Sequence, residues 1–273
     1  MLDQSPAPVL MQRSRGRAVV ALSGTGRVER LHQSGSAKAI LPRTHGAPPE
    51  VVFLNTSGGL TGGDRLDLSL VLAPGLRATA TTQTAERAYD AGTGIPARVE
   101  VALTVGAGGF VDWLPQETIL FENAALERAV TVDLGPGAGC LFLESVVLGR
   151  RAMGEDLRRL RFLDRRTVRR AGRPVWAEPL ALDGARLARA DGTAMLGGAR
   201  AFATLALVAD GAEARLDALR AVLDEPGVEA GASAFDGKCI CRMLAADGWP
   251  LRRQVARALA VLRPGPLPRV WQI

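Results

Sequence analysis

Along much of the chain, polar and apolar residues alternate in short runs set off by Gly, Pro, Asn and Asp. Over residues 97–105, Arg98, Glu100, Ala102 and Thr104 fall on one side and Val99, Val101, Leu103 and Val105 on the other, the two-residue period of a half-buried strand. Further β-prone runs cover 18–22, 37–41, 51–54, 65–72, 76–82, 110–113, 126–134, 140–148, 160–168 and 175–182. The pattern changes after Gly211. Over 213–223, Leu216, Leu219 and Leu223 recur at helical spacing with Arg220 at the edge of the stripe, before Pro226 stops it. A second helix is expected from Trp249 or Pro250 to Leu262, with Leu251, Val255, Leu259 and Leu262 on one face and Pro264 at its end. Strands over 228–235 and 238–245 lie between the two. The expected fold is mainly β with two α-helices in the C-terminal third. No fixed-period repeat or low-complexity linker divides it, so residues 1–273 read as a single domain.

Composition adds limits. With 273 residues and 47% of them hydrophobic, the chain can bury a substantial core. The longest apolar stretch, 201–209, contains Thr204 and is far short of the roughly 20 residues a membrane helix needs. Residues 1–17 contain Pro6, Pro8 and several charges but no apolar run of the secretory type, so a cytoplasmic location and no membrane are expected. Three cysteines, an odd number, argue for reduced thiols; Cys140 lies in an apolar run and reads as core.

The net charge of +6 is unevenly spread. Between Arg150 and Arg173 stand ten arginines against Glu155, Asp156 and Asp164, so the rest of the chain is close to neutral. Such a stripe is read as a solvated face, as a docking surface for an acidic partner or, in the rival reading, as a nucleic-acid-binding surface on a β protein. Against that rival, single-strand binders interleave aromatics for base stacking, and only Phe162 falls among these arginines. No nucleic acid is therefore expected as a partner.

Catalytic chemistry finds little to work with. The two histidines, His32 and His45, lack the spacing of a zinc site. Cys239 and Cys241 share one face of a strand and would suit a soft metal, but no third ligand accompanies them, and two packed thiols are the simpler reading. No G-x-S-x-G elbow is present, and a glycosidase on a β-helix would need a carboxylate pair whose separation a sequence does not give. No catalytic residue is assigned.

The most unusual segment reads N-T-S-G-G-L-T-G-G-D from Asn55 to Asp64. It lacks the G-K-[ST] ending of a phosphate loop, and no helical pattern follows it. By itself it is a tight double turn in which Asn55 and Asp64 bond local backbone, with glycines that permit positive φ and close approach. It is followed by Thr81-Thr82-Gln83-Thr84 and Tyr89, then Trp113-Leu114-Pro115-Gln116-Glu117, Glu144, Gly149-Arg150 and Gly154-Glu155, and near the end by Arg242-Met243-Leu244 and Pro268-Arg269-Val270-Trp271. In order and separation this series resembles the UreD (UreH) family of urease accessory proteins over essentially the whole chain. The matching motif positions include Asn55, Gly58, Gly59, Gly62, Gly63, Tyr89, Pro115, Gln116, Gly149, Arg150 and Gly154.

The resemblance implies a β-helix-like stack of short strands with two helices. It implies a urease maturation factor, a scaffold or chaperone rather than an enzyme, that works with UreF and UreG and contacts the urease structural subunits. UreE enters only indirectly, as a source of metal that the sequence leaves open. The GTP chemistry belongs to UreG, no cofactor is tightly bound, and nickel is the transported ion. Transit calls for weak oxygen ligands that hold a hydrated divalent ion briefly, where thiolate or imidazole would trap it. Asp64, Gln83, Glu86, Glu117, Glu122, Glu144 and Glu155 are the candidates. Each also has a plainer role open to it, as a turn cap or in an ion pair; Glu155, for instance, stands near Arg150 and Arg151.

Overall fold

The computed structural model describes residues 13–44, 48–92, 94–150, 153–155, 157–189, 191–192 and 195–271; His45 and Arg151 lie outside them. Its strands are β1 (Arg15–Leu22), β2 (Val28–Gly35), β3 (Ala37–Ile40), β4 (Glu50–Asn55), β5 (Arg65–Leu72), β6 (Arg77–Thr82), β7 (Glu86–Ala88), β8 (Ala97–Val105) and β9 (Phe110–Leu114). They continue through β10 (Thr118–Leu120), β11 (Ala125–Leu134), β12 (Gly139–Leu148), β13 (Arg161–Arg170), β14 (Arg173–Asp183), β15 (Ala201–Val208), β16 (Val228–Phe235) and β17 (Lys238–Ala245). The helices are α1 (Gly184–Leu187), α2 (Leu216–Arg220) and α3 (Gly248–Leu262).

From β4 to β13 the chain winds as a solenoid. It alternates between a sheet of order β14-β13-β11-β8-β5-β1-β2 and a larger one of order β16-β17-β15-β12-β9-β6-β4-β3. In the first sheet β1, β5, β8, β11 and β13 are parallel, with β2 and β14 antiparallel at the edges. In the second, β4, β6, β9 and β12 are parallel; β3 closes one edge and the antiparallel β15, β17 and β16 the other.

The two sheets bury their facing sides, and the sequence pattern follows from what covers the other sides. The outer side of the first sheet meets solvent, so β8 alternates strictly between buried and exposed residues, as its sequence predicts. The outer side of the second sheet carries α3, so β12 and β15 are buried on both faces and their sequences run almost continuously apolar. β15 is the apolar stretch seen from 201 onward. Cys140, Cys239 and Cys241 are buried free thiols, and burial pushes Cys140 and Cys241 up to about 12.

α3 starts where Asp247 caps it, accepting from the Trp249 N–H at 3.1 Å, and packs Leu251, Val255, Ala258, Leu259 and Leu262 inward before Pro264. The helix expected over 213–223 is shorter than its leucine spacing suggests. A 3₁₀ turn, Ala212–Arg215, leads into α2, which ends at Arg220; Leu219 is buried, and Leu216, Val222 and Leu223 pack partly buried against the same core. β2, which contains His32, is exposed at every position. Among the described residues, no helix is long and apolar enough to cross a membrane.

Candidate functional site

The chain passes between the two sheets through a third, narrow strip at one corner of the solenoid. Leu60 pairs with Ala88, β7 runs parallel to β10, and β10 runs parallel to β12. Leu60, Ala88, Leu120 and Leu148 therefore stack as a buried inner column. Backbone bonds tie each turn to the next: Tyr89 N–H to Leu60 O at 2.8 Å, Phe121 N–H to Ala88 O at 3.0 Å and Gly149 N–H to Leu120 O at 2.8 Å. Motifs widely separated in sequence meet at this corner, one per turn. Asn55 to Asp64 occupy the first, Gln83 to Tyr89 the second, Pro115 to Glu122 the third, and Gly149, Arg150, Gly154 and Glu155 the fourth.

The paired glycines make the stacking close. A Cβ on Gly59, which has φ +143°, would lie 2.4 Å from the Tyr89 ring and 2.8 Å from Arg87 O; one on Gly62 would lie 2.3 Å from Ala91 O. Gly58 and Gly63 also have positive φ, at 79° and 85°. Above Gly59, Tyr89 packs on Phe121 with ring centroids 5.1 Å apart, and the Arg150 guanidinium lies 4.7 Å over the other ring.

Beside this stack, Asn55, Gly58, Gly59, Gln83 and Glu86 line a cavity of about 80 Å³. Asn55 Nδ2 donates to both Glu86 oxygens at 3.2 and 3.3 Å, while Asn55 Oδ1 accepts from Ser57 N and Oγ at 3.1 and 2.6 Å. Burial pushes Glu86 up to about 7, against the opposing pull of the Asn55 bond. Gln83 is exposed at the rim. Of the seven candidate oxygen donors, these two share the cavity.

The other five are placed differently. Asp64 turns inward as a cap, accepting from Ser14 N at 2.7 Å and Thr61 N at 2.8 Å. Glu122 and Glu155 form a clip: Glu155 accepts from Glu122 N at 3.1 Å and Arg150 N at 2.9 Å, and Glu122 from Arg158 N at 2.7 Å and Arg159 N at 3.1 Å. Burial works to lift both carboxyls, yet these N–H groups and the arginines hold them below the ordinary carboxylate range. Glu117 pairs with Arg252 at 3.2 Å beside Gln116, whose Oε1 accepts from the same guanidinium at 2.6 Å. Pro115 and Gln116 are buried, and Gly154 is exposed with φ +67°.

Glu144 belongs to a ladder of charges inside the solenoid. Trp113 Nε1 donates to Glu144 at 2.9 Å, and Arg128 bridges Glu144 at 2.5 Å to Asp164 at 2.6 Å. Asp164 also accepts from Arg166 Nε at 2.8 Å, Arg166 reaches Glu178 at 3.1 Å, and Glu178 ends at the exposed Arg242. Burial raises Glu144, whereas Asp164, also buried, is held below the usual range by Arg128 and Arg166. Arg128, Asp164, Arg166 and Glu178 are not singled out by motif. Three of them carry another signal, since Arg128, Asp164 and Arg166 occupy the apolar phase of alternating strands, between Leu126 and Val130 and between Phe162 and Val168.

The arginine stripe divides accordingly. Arg166 is buried in the ladder, Arg150, Arg159 and Arg161 pair with Glu155, Glu122 and Glu127, and Arg165 and Arg169 point outward from β13. Among the described residues no three His, Cys, Asp or Glu converge as a metal-holding group.

Compared with known proteins, residues 14–272 match the family profile described as UreD urease accessory protein. A urease accessory protein UreD from Cereibacter sphaeroides (strain ATCC 17025) is 65% identical over 271 residues, covering 98% of each chain. One from Paracoccus denitrificans (strain Pd 1222) is 60% identical and covers 98% of this chain and 95% of its own. One from Dinoroseobacter shibae is 50% identical over 270 residues.

Proposed function

The chain belongs to the UreD family of urease accessory proteins, and from that membership we propose that it is a scaffold that works with UreF and UreG and passes nickel toward the urease active site. The observation carrying this reading is the gathering of the family-motif residues on one corner, where Gln83 and Glu86 offer amide and carboxylate oxygens to one small cavity and Asn55 Nδ2 positions the Glu86 carboxyl. Oxygen donors of this kind bind a borderline cation less firmly than thiolate or imidazole and release it readily. Nickel is cargo here, and the chain needs no resident metal for the task.

Glu86 gives the stop a proton-dependent grip. A carboxyl with a pKa of about 7 is partly protonated at neutral pH, so an arriving dication displaces the proton and a returning proton helps to release the ion. Tyr89 and Arg150, both exposed and packed on the buried Phe121 ring, adjoin the cavity and are placed to meet a partner at the same corner. The interior ladder is a poorer route, because Arg128 and Arg166 already neutralise its carboxylates and repel a dication. Nucleic-acid binding has less support, since most arginines of the stripe with a described partner are committed to carboxylates.

The test is urease activation in cells carrying Glu86→Gln or Gln83→Leu, with urease nickel content measured and UreF and UreG followed by co-purification. The expected outcome is an intact complex with nickel-poor urease. Full activation by both variants would sink the passage reading, and so would loss of the complex in both, which would make the corner purely structural.

A further inference from the structure

A second cleft lies away from the corner, on the outer side of the larger sheet. Glu50, Thr79 and Asp112 stand side by side on three parallel strands, β4, β6 and β9, with Glu50 opposite Thr79 and Thr79 opposite Asp112. The segment after α3, from Arg263 to Arg269, and Arg43 close over them around a cavity of about 270 Å³.

Four guanidiniums line this cleft against two carboxylates. Arg77 already engages Asp112 through both oxygens, at 2.8 and 3.0 Å, and stacks on Phe110 at 4.0 Å. Arg263 leans on the same pair, with Nη2 3.2 Å from Thr79 Oγ1 and 3.7 Å from Asp112. Its side chain is only 8% exposed. Two polar atoms remain. Arg263 Nε, a donor, and Glu50 Oε1, an acceptor, are both buried and have no hydrogen-bond partner among the described residues. Leaving such atoms unmet is costly, and here both belong to residues lining one cavity, with Arg43 and Arg269 exposed at its mouth.

We propose that this cleft binds a small free oxyanion of the phosphate, sulfate or carbonate class, held by Arg263 Nε, Arg269 and Arg43, with one proton shared between the ion and Glu50 Oε1. The excess of guanidinium over carboxylate excludes a metal cation. An oxyanion supplies acceptors to three arginines at once, and the shared proton turns the Glu50 oxygen from a repulsive neighbour into a partner. Burial lifts Glu50 above the ordinary carboxylate range while Arg263 and Arg269 pull against it, so the carboxyl is disposed to take up that proton. The charged groups facing it are Arg43, Arg77, Arg263, Arg269 and Asp112.

The experiment is titration calorimetry of the purified full chain with sodium sulfate, which stays doubly charged above about pH 4, run across the pH range in which the chain stays folded, with chloride at equal ionic strength as the blank. Saturable one-to-one binding is expected, weakening as pH rises and Glu50 ionises, with phosphate and bicarbonate competing for the site. Arg269→Ala should lower the affinity roughly tenfold, the worth of one charged hydrogen bond. Glu50→Gln, whose amide donates at any pH, should bind sulfate with the pH dependence gone. Arg263→Gln should abolish binding; should that buried change prevent folding, the exposed Arg43→Ala and Arg269→Ala still decide the matter. Heat no greater than chloride gives, affinity unchanged in both exposed variants, or an unaltered pH profile in Glu50→Gln would each overturn the site and leave the cleft to water.

Discussion

Glu86 and the glycines around it are where single side chains decide most. The folded-state pKa of Glu86, about 7, lies above the ordinary glutamate value of 4.5, so the native chain holds a proton that the unfolded chain has lost between those values. Its contribution to stability is full below the unfolded pKa and disappears as pH rises through the folded one. Glu86→Gln should therefore flatten the fall in stability across that window and leave the variant more stable near pH 8, by on the order of 1–3 kcal/mol, measured by urea unfolding at several pH values. The glycines separate in the same way. Gly59→Ala and Gly62→Ala force a Cβ against neighbouring backbone and should cost roughly 2 kcal/mol or more, while Gly58→Asn, with open space around it and a φ that Asn tolerates, should cost under about 1 kcal/mol. Thermal denaturation of the three variants checks the order. From the sequence, the double glycine motif is visible and so are the seven oxygen donors. Which donors face a cavity is not, because Asp64 and Glu86 are both carboxylates that accept backbone N–H groups, and only the fold puts a void beside Glu86 and none beside Asp64.

For the elements, the legible features are those set by a single strand or helix. Alternation marks β8 and the leucine period marks α3, because each depends on one solvent-facing and one core-facing side. The stretch 213–223 does place its leucines on the core, but as a 3₁₀ turn followed by the short α2, a division that the leucine period does not contain. The charges in β11 and β13 form an intermediate case. Their phase places Arg128 and Asp164 inside, but only the register that sets Arg128 opposite Asp164 explains why the interior tolerates them. Arg128→Met should strand Glu144, leave Asp164 to Arg166 alone, and destabilise the fold by about 3–5 kcal/mol, with denaturant unfolding as the measure. Asp247→Ala, which removes the cap of α3, should cost about 1 kcal/mol in the same assay.

At the scale of the whole molecule, strand runs in a sequence do not say whether neighbours pair in parallel, and the solenoid was expected only through family resemblance. Even the turns are stacked in register, Gly75 N–H bonding Ala107 O and Gly108 N–H bonding Pro136 O, both at 2.8 Å. One alanine inserted after Val101 should turn half of β8 inside out and prevent folding, seen as loss of the cooperative thermal transition. The same stacking governs how the corner meets anything outside. Leu60 and Leu148 belong to opposite ends of that column, three strand spacings or about 14 Å apart, however many residues the intervening loops contain. The chain is laid out like lines of text, and a partner at the corner reads down the margin: it meets the first word of each line, and never learns how long the lines are.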